Sequence, residues 1–234
     1  MDLEFSVALP RQDVAIAVVA ALGVSAGPAS SALEAAIVQT VQDRRAQLPG
    51  GLEQRRQACR EMLRNGSYKP TGRAKPASEY LLRAAAENTF PRINAIVDAN
   101  NLVSLLHLLP ISVWDIDLAD SRRFEFRLGA ESEQYVFNSG GQVLELRDLL
   151  GGYAFQADSE SWKPIVNPVK DSLATKTTAE TRNVAAAIYC PLSPELDATG
   201  ALAIANELLG WLVLASGSGQ AGVALAGSKC VLSL

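Results

Sequence analysis

The stretch Asn167-Pro-Val-Lys-Asp-Ser-Leu-Ala-Thr-Lys-Thr177 concentrates the residue types that hold a small polar group and polarise it. Lys170 beside Asp171 supplies paired charges, and Thr175, Lys176 and Thr177 set a second cation between two hydroxyls. Such a set can orient a water and stabilise a developing negative charge. The same string also reads as a polar turn capping the next element, so the residues alone leave both readings open. A second candidate group is Asn94, Asp98 and Asn101, spaced so that one helical face carries all three. The neighbouring residues Ile93, Ile96, Val97, Val103, Leu105 and Leu106 are apolar, and an unpaired buried polar group costs about 1–3 kcal/mol. Either the three bond neighbouring loops and hold the fold, Asp98 above all, or they line a pocket for a polar ligand. The lone histidine, His107, lies among leucines and reads as a packing residue rather than a base; no Ser-His-Asp triad is present.

The elements that must position these groups are legible in outline. Asp13 to Ala20 reads as a buried strand, closed by Gly23 and the Gly27-Pro28 turn. Ser31 with Glu34 forms a capping-box pattern opening a helix through Leu33, Ile37 and Val41, which Gly50-Gly51 breaks. A second helix from Leu52 to Asn65 has Gly66 in the C-cap place. After the Gly/Pro-punctuated loop 66–77 come helices over 78–88 and from Ile93 to Leu109, the latter stopped by Pro110. Short strands are predicted at 124–127, 135–138, 143–146 and 184–189, then a helix from Ala201 to Ala215 and a last strand within 223–234. Helices ahead of a strand-rich middle imply an α+β fold, read as one domain over 1–234.

Composition bounds the function. With 234 residues, 48% hydrophobic and 20% charged, the chain can bury a large core. A net charge of −4 argues against indiscriminate coating of nucleic acid. Cys59, Cys190 and Cys230 form no CxxC pair, and with a single histidine they give no zinc pattern, so no metal or cofactor is expected. The apolar windows Val14–Val24 and Ala201–Ala215 are shorter than the ~20 residues that span a bilayer, and MDLEF lacks a basic leader, so a cytoplasmic protein is the expectation.

Three blocks carry a family resemblance: RNGSYKPTGRAKPASEYLLRAA (64–85), FPRINAIVDANNLVSLLHLLPISVWDID (90–117) and NPVKDSLATKTTAETRNVAAAIYCP (167–191). Over roughly residues 60–192 the chain resembles a freestanding B3/B4 domain, the editing domain of the phenylalanyl-tRNA synthetase beta subunit. Ile93-Asn94, Val97-Asp98 and Asn101 fit that subunit's pattern, whereas Asn100 stands in place of its threonine and Ser112 in place of its histidine. The resemblance implies a three-layer fold with helices around an unusual β-sandwich. It also implies a trans-acting hydrolase that deacylates mischarged tRNA, with a non-catalytic tRNA-binding module as the alternative. The two departures keep the synthetase's own editing substrate from being transferred.

On that reading Thr175, Lys176, Thr177, Asn100 and Ser112 carry the chemistry, and Asn94, Asn101, Asn138, Asn167, Lys170 and Asp171 hold the substrate. The polar set around Asn94, Asn100 and Asn138 suggests that the rejected amino acid is polar. Between Arg55 and Arg92 nine basic residues face three acidic ones, and Arg56, Arg60 and Arg64 repeat every four residues. With Lys69, Arg73, Lys75 and Arg92 they suit a phosphate backbone, and Tyr68 is placed to stack a base or to pack beneath its loop. No phosphate-cradling Gly-rich loop accompanies them.

Overall fold

Two strands open the chain, β1 (Asp2–Ala8) and β2 (Val14–Leu22), followed by helices α1 (Ser31–Ala46), α2 (Gly50–Leu63), α3 (Ala77–Ala86) and α4 (Ala95–His107). Then come β3 (Ile111–Asp115), the single turn α5 (Ile116–Ala119), β4 (Arg123–Leu128), β5 (Gln134–Val136), β6 (Val143–Glu145), β7 (Leu150–Gln156) and β8 (Ser161–Val166). Strand β9 (Asn183–Pro191), helix α6 (Ala198–Ser216) and strands β10 (Gln220–Ala226) and β11 (Cys230–Ser233) complete it. The coordinates are a computed structural model and describe residues 1–46, 48–217 and 219–234.

The strands form a five-stranded sheet, β11-β1-β4-β7-β8, a four-stranded sheet, β10-β2-β9-β3, and the small hairpin β5-β6. Within the larger sheet β1 and β4 run parallel, while the other pairs are antiparallel. Strand β2 shows how the layers stack. Ile16, Val18 and Ala20 face the five-stranded sheet, while Ala17, Val19 and Ala21 face the helices, so both sides of a period-2 strand are buried. That double burial is why its sequence is a continuous apolar run rather than an alternation. Strand β9 does the same with Ala185, Ala187 and Tyr189 on one face and Ala186, Ile188 and Cys190 on the other. The result is α+β in three layers: sheet, sheet, helices.

Between the sheets Phe5 stacks on Phe124 with centroids 5.4 Å apart, and Trp114 meets Phe124 edge-on at 5.3 Å. Under the helices Leu33 and Ile37 of α1, Ile96 and Val103 of α4 and Leu208 of α6 form the second core. Full burial of each such side chain is worth about 1.5–3 kcal/mol relative to exposure.

Several boundaries differ from the sequence expectation. The Oγ that accepts from Leu33 N belongs to Ser30, not Ser31. Gly50-Gly51 does not interrupt a helix but begins α2, just after Pro49. Helix α2 stops at Leu63, and Gly66 lies in the turn beyond it with φ +48°, where a side chain would be strained. That turn is tied down by Asp148, whose carboxylate accepts from Ser67 N and Ser67 Oγ, both at 2.7 Å. Strands β1, β3, β7 and β8 were not expected, and the last strand is two. The C-terminal helix is 19 residues, longer than predicted, and by length and composition alone it is apolar enough to cross a membrane. Here it packs through Ala201, Ala205 and Leu208 into the second core. Mid-helix Glu207 binds His107 at 2.6 Å, so that histidine is a half-buried hydrogen-bond partner of a carboxyl group rather than a core filler.

Candidate functional site

The site is built where α4 ends its first turn against the 167–177 loop. Asn94 does not lie within α4; it is the N-cap, extended at φ −160°, with Oδ1 accepting from Val97 N at 2.9 Å. Asp98 reaches back to accept from Ile93 N at 2.8 Å and from Arg92 Nε at 3.2 Å. Asn94 therefore satisfies one of the otherwise orphaned donors of the helix start, and Asp98 ties down the residues that lead into it. Asn94 Nδ2 also donates to Thr177 Oγ1 at 3.5 Å, joining α4 to the loop.

The loop is held by one amide. Asn167, 2% exposed, accepts at Oδ1 from Val169 N (2.7 Å) and Lys170 N (2.9 Å), while its Nδ2 donates to the Tyr135 hydroxyl. Tyr135 OH in turn donates to Lys170 O at 2.7 Å. Beneath this loop Ser112 of β3 donates to Asp171 Oδ1 at 2.7 Å, with Asn167 O at 3.1 Å and Tyr189 OH at 3.3 Å around the same Oγ. Burial pushes the Asp171 carboxyl up to about 7, against the opposing pull of the Ser112 hydroxyl and the Asn167 N–H.

Above these groups lies a cleft of about 410 Å³. Its apolar wall comes from Leu81, Pro91, Ile93, Val97, Ile111 and Val113. Its polar wall comes from Asn100, Asn101, Asn167, Lys170, Asp171, Lys176 and Thr177. Both lysines are pinned to the β5-β6 hairpin: Lys176 Nζ donates to Phe137 O at 2.7 Å, and Lys170 Nζ sits 4.2 Å from the centre of the Phe137 ring. Burial, followed by repulsion from Arg73, lowers the Lys170 ammonium below its ordinary range. The cleft thus joins a hydrophobic side, three amides, a carboxyl and two cations, which suits an amphipathic ligand with separated positive and negative groups.

Not every expected residue reaches it. Thr175 is 1% exposed and turns its hydroxyl towards Ile165 O at 3.4 Å, below the cleft. Ser112, also 1% exposed, faces the space between the sheets and touches the site through Asp171. Asn138 folds its own hairpin turn, bonding Gln142 N at 3.1 Å and Gln142 Oε1 at 2.9 Å. The arginine stripe is not free positive charge. Arg60 binds Glu79 at 2.5 Å, Arg56 binds Glu79 at 3.2 Å and also Glu53, and Arg64 binds Glu61 at 2.9 Å. Glu79, 8% exposed at its side chain, is the buried anchor that α3 offers to α2. Arg92 is likewise engaged, with Glu34 and Asp98. Tyr68 packs beneath its loop, half-buried against the inter-sheet core, with OH donating to Ala74 O at 3.0 Å. Lys69, Arg73 and Lys75 make no ion pair among the described residues and leave the 66–77 loop positively charged. Tyr80 of α3 was not anticipated. It lines the cleft and, with Gly72 and Lys75, an adjoining hollow of about 280 Å³. Its signal was its place one helical turn beyond Pro76, in the same block as the basic loop. Phe137 was equally unforeseen, since only the tertiary fold lays the hairpin over the lysines.

Two stacked sheets, a helical layer and a cleft bounded by the edge strand β3 define an α+β domain with a recessed ligand site. A family model described as the B3/4 domain matches residues 58–193, more than half of the chain, and the chain belongs to that family. Among solved structures it is similar to an N-terminal fragment of the phenylalanyl-tRNA synthetase beta-subunit from Pyrococcus horikoshii. That likeness has a TM-score of 0.44 and 8% sequence identity, covering 98% of this chain and 54% of the fragment. The chain therefore spans about half the length of that structure. A comparison with curated proteins found no match.

Proposed function

We propose that this B3/4 protein takes the aminoacylated 3′ end of a tRNA into its cleft and hydrolyses the ester, an editing hydrolase acting in trans. The observation that carries the reading is convergence. Asn100 and Asn101 of α4 and Asn167, Lys170, Asp171, Lys176 and Thr177 of the 167–177 loop come from two segments distant in sequence yet line one cleft, and Tyr80 connects that cleft to the unpaired cations of the 66–77 loop. Ester hydrolysis on a tRNA asks little of the protein. The ribose hydroxyl is a good leaving group and its vicinal hydroxyl can relay a proton, so a placed water and oxyanion donors suffice. The Lys176 ammonium and the Thr177 hydroxyl are the donors suited to that task, and the amides of Asn101 and Asn167 border the space for the ester. The phosphates of the acceptor end would run along Lys69, Arg73 and Lys75.

Purified protein mixed with a panel of mischarged tRNAs should release at least one amino acid well above the spontaneous rate. Release of none removes the hydrolase. One observation favours a non-catalytic tRNA-binding module as the second reading: the single histidine is committed to Glu207 and does not line the cleft. Salt-dependent binding of uncharged tRNA with no release from any charged one would establish that module.

A further inference from the structure

Asn100 is 5% exposed, and its Nδ2 donates to Ile111 O at 3.3 Å. That bond fixes the amide, because the flipped orientation would set two oxygens against each other. The remaining atom, Oδ1, is buried without a donor, one of two such side-chain atoms among the described residues. The other, Trp114 Nε1, belongs to the core between the sheets, whereas Asn100 lines the cleft. An unmet buried acceptor is unfavourable, a cost that a donor on a ligand would remove.

A second acceptor stands beside it. Asp171 lines the same cleft and has no cation within ion-pair distance among the described residues. The two are held by consecutive residues of one strand: Ile111 O receives the Asn100 amide, and Ser112 Oγ bonds the Asp171 carboxyl. Both are therefore anchored at one point of β3, on adjoining residues, and both line the cleft. The lysines that would otherwise neutralise Asp171 are held away, Lys176 on the Phe137 carbonyl and Lys170 on the Phe137 ring.

We propose that this point is an ammonium subsite, in which Asn100 Oδ1 and the Asp171 carboxylate receive the N–H donors of a primary amine, the α-ammonium of the aminoacyl group. The assignment of that particular amine rests on the tRNA-deacylating function proposed above. The subsite orients the substrate so that its side chain meets the apolar wall of Leu81, Ile93 and Val97 and its ester points towards Lys176. Besides Lys176, the groups facing Asp171 are the hydroxyl of Ser112 on β3 and the phenols of Tyr189 on β9 and Tyr135 on β5. Both phenols are pushed upward by burial and stay neutral, so the carboxyl is the group that titrates near neutrality. An ammonium partner favours its ionised form, and amine binding should therefore strengthen as pH rises towards 7 and then level off.

The test is a set of L-amino acid methylamides paired with their α-hydroxy counterparts, nearly the same in shape but without the charge, titrated by NMR into the whole chain. At least one amine should bind tenfold or more tighter than its α-hydroxy partner, and the Asp171→Asn variant should erase that gap. Equal binding of the two forms, a gap unchanged in Asp171→Asn, or no amine binding at all would overturn the subsite. The wild-type comparison needs no variant to fold. A protein that hydrolyses α-hydroxyacyl-tRNA as fast as aminoacyl-tRNA keeps its function and loses the subsite. One that captures amines and hydrolyses no tRNA loses the function and keeps the subsite.

Discussion

Ser112 Oγ lies 2.7 Å from Asp171 Oδ1 although 59 residues separate them, and it is one of the contacts that moor the 167–177 loop to the sheet. The carboxyl it holds is raised to about 7 by burial, from an ordinary value of 3.8. A carboxyl raised on folding contributes stability that is complete below about pH 4 and is lost as pH climbs through 7. Asp171→Asn keeps an oxygen for Ser112 and carries no charge. It should therefore match the wild type near pH 4 and exceed it by about 1–3 kcal/mol above pH 7. Urea midpoints at pH 4.5, 6 and 8 measure this, and a pH-independent difference would contradict the burial account.

Lys176 is exposed, and among the described residues its ammonium bonds only the Phe137 carbonyl. Lys176→Ala should change folding stability by no more than about 0.5 kcal/mol, as surface substitutions do. It should slow release of amino acid from a mischarged tRNA by about 10²-fold or more, the usual loss of one oxyanion donor. An unchanged rate would take Lys176 out of the chemistry.

Glu79 holds two guanidinium groups at once, Arg56 and Arg60, with most of its own side chain buried. Glu79→Gln leaves Arg60 without a carboxylate and Arg56 with Glu53 alone, and should cost about 1–3 kcal/mol, less than a fully buried pair because the arginines are partly solvated. Arg64→Ala, which breaks an exposed pair with Glu61, should fall within about 0.5 kcal/mol. Guanidinium-chloride melts of the two variants separate the structural anchor from the surface pair.

The same distinction predicts which cations meet RNA. Alanine at Lys69, Arg73 or Lys75 should each lower the slope of log affinity against log salt by about 1. Arg60→Ala should leave the slope alone and lower the unfolding midpoint instead. Filter binding of uncharged tRNA from 50 to 200 mM salt, paired with melts, reads both; a slope that falls only with Arg60→Ala would restore the stripe as the contact surface.

Much of the secondary structure is local and was readable in the chain. The β2 run is apolar throughout because both its faces are covered, α4 was foreseen ahead of Pro110 although it spans Ala95–His107 and closes on a left-handed Leu108 short of the expected Leu109, and the 124–127 and 184–189 strands were signalled by alternation and β-branched residues. Strand β1 carries the same alternation in Leu3, Phe5 and Val7. Strands β7 and β8 are broken by Gly151-Gly152 and Pro164, which by themselves argue against a strand; their neighbours in the sheet override that preference.

For the site, residue type and motif singled out Asn100, Asn101, Asn167, Lys170, Asp171, Lys176 and Thr177, because chemistry-bearing residues are recognisable one at a time. Which way each side chain faces is a property of pairs. Thr175 turned inward, Arg56 and Arg60 found Glu79 on the next helix, and Tyr68 went under its loop, all through contacts 6 to 23 residues away. Periodicity places a residue on a face of its own element, but only packing decides whether that face meets a carboxylate, a core or open water. The sequence thus determined the cast of groups and the family; the meeting of Ser112 with Asp171, the lysines drawn onto Phe137 and the bare oxygen of Asn100 came from the tertiary fold, where hydrogen bonds and burial are settled between elements distant along the chain.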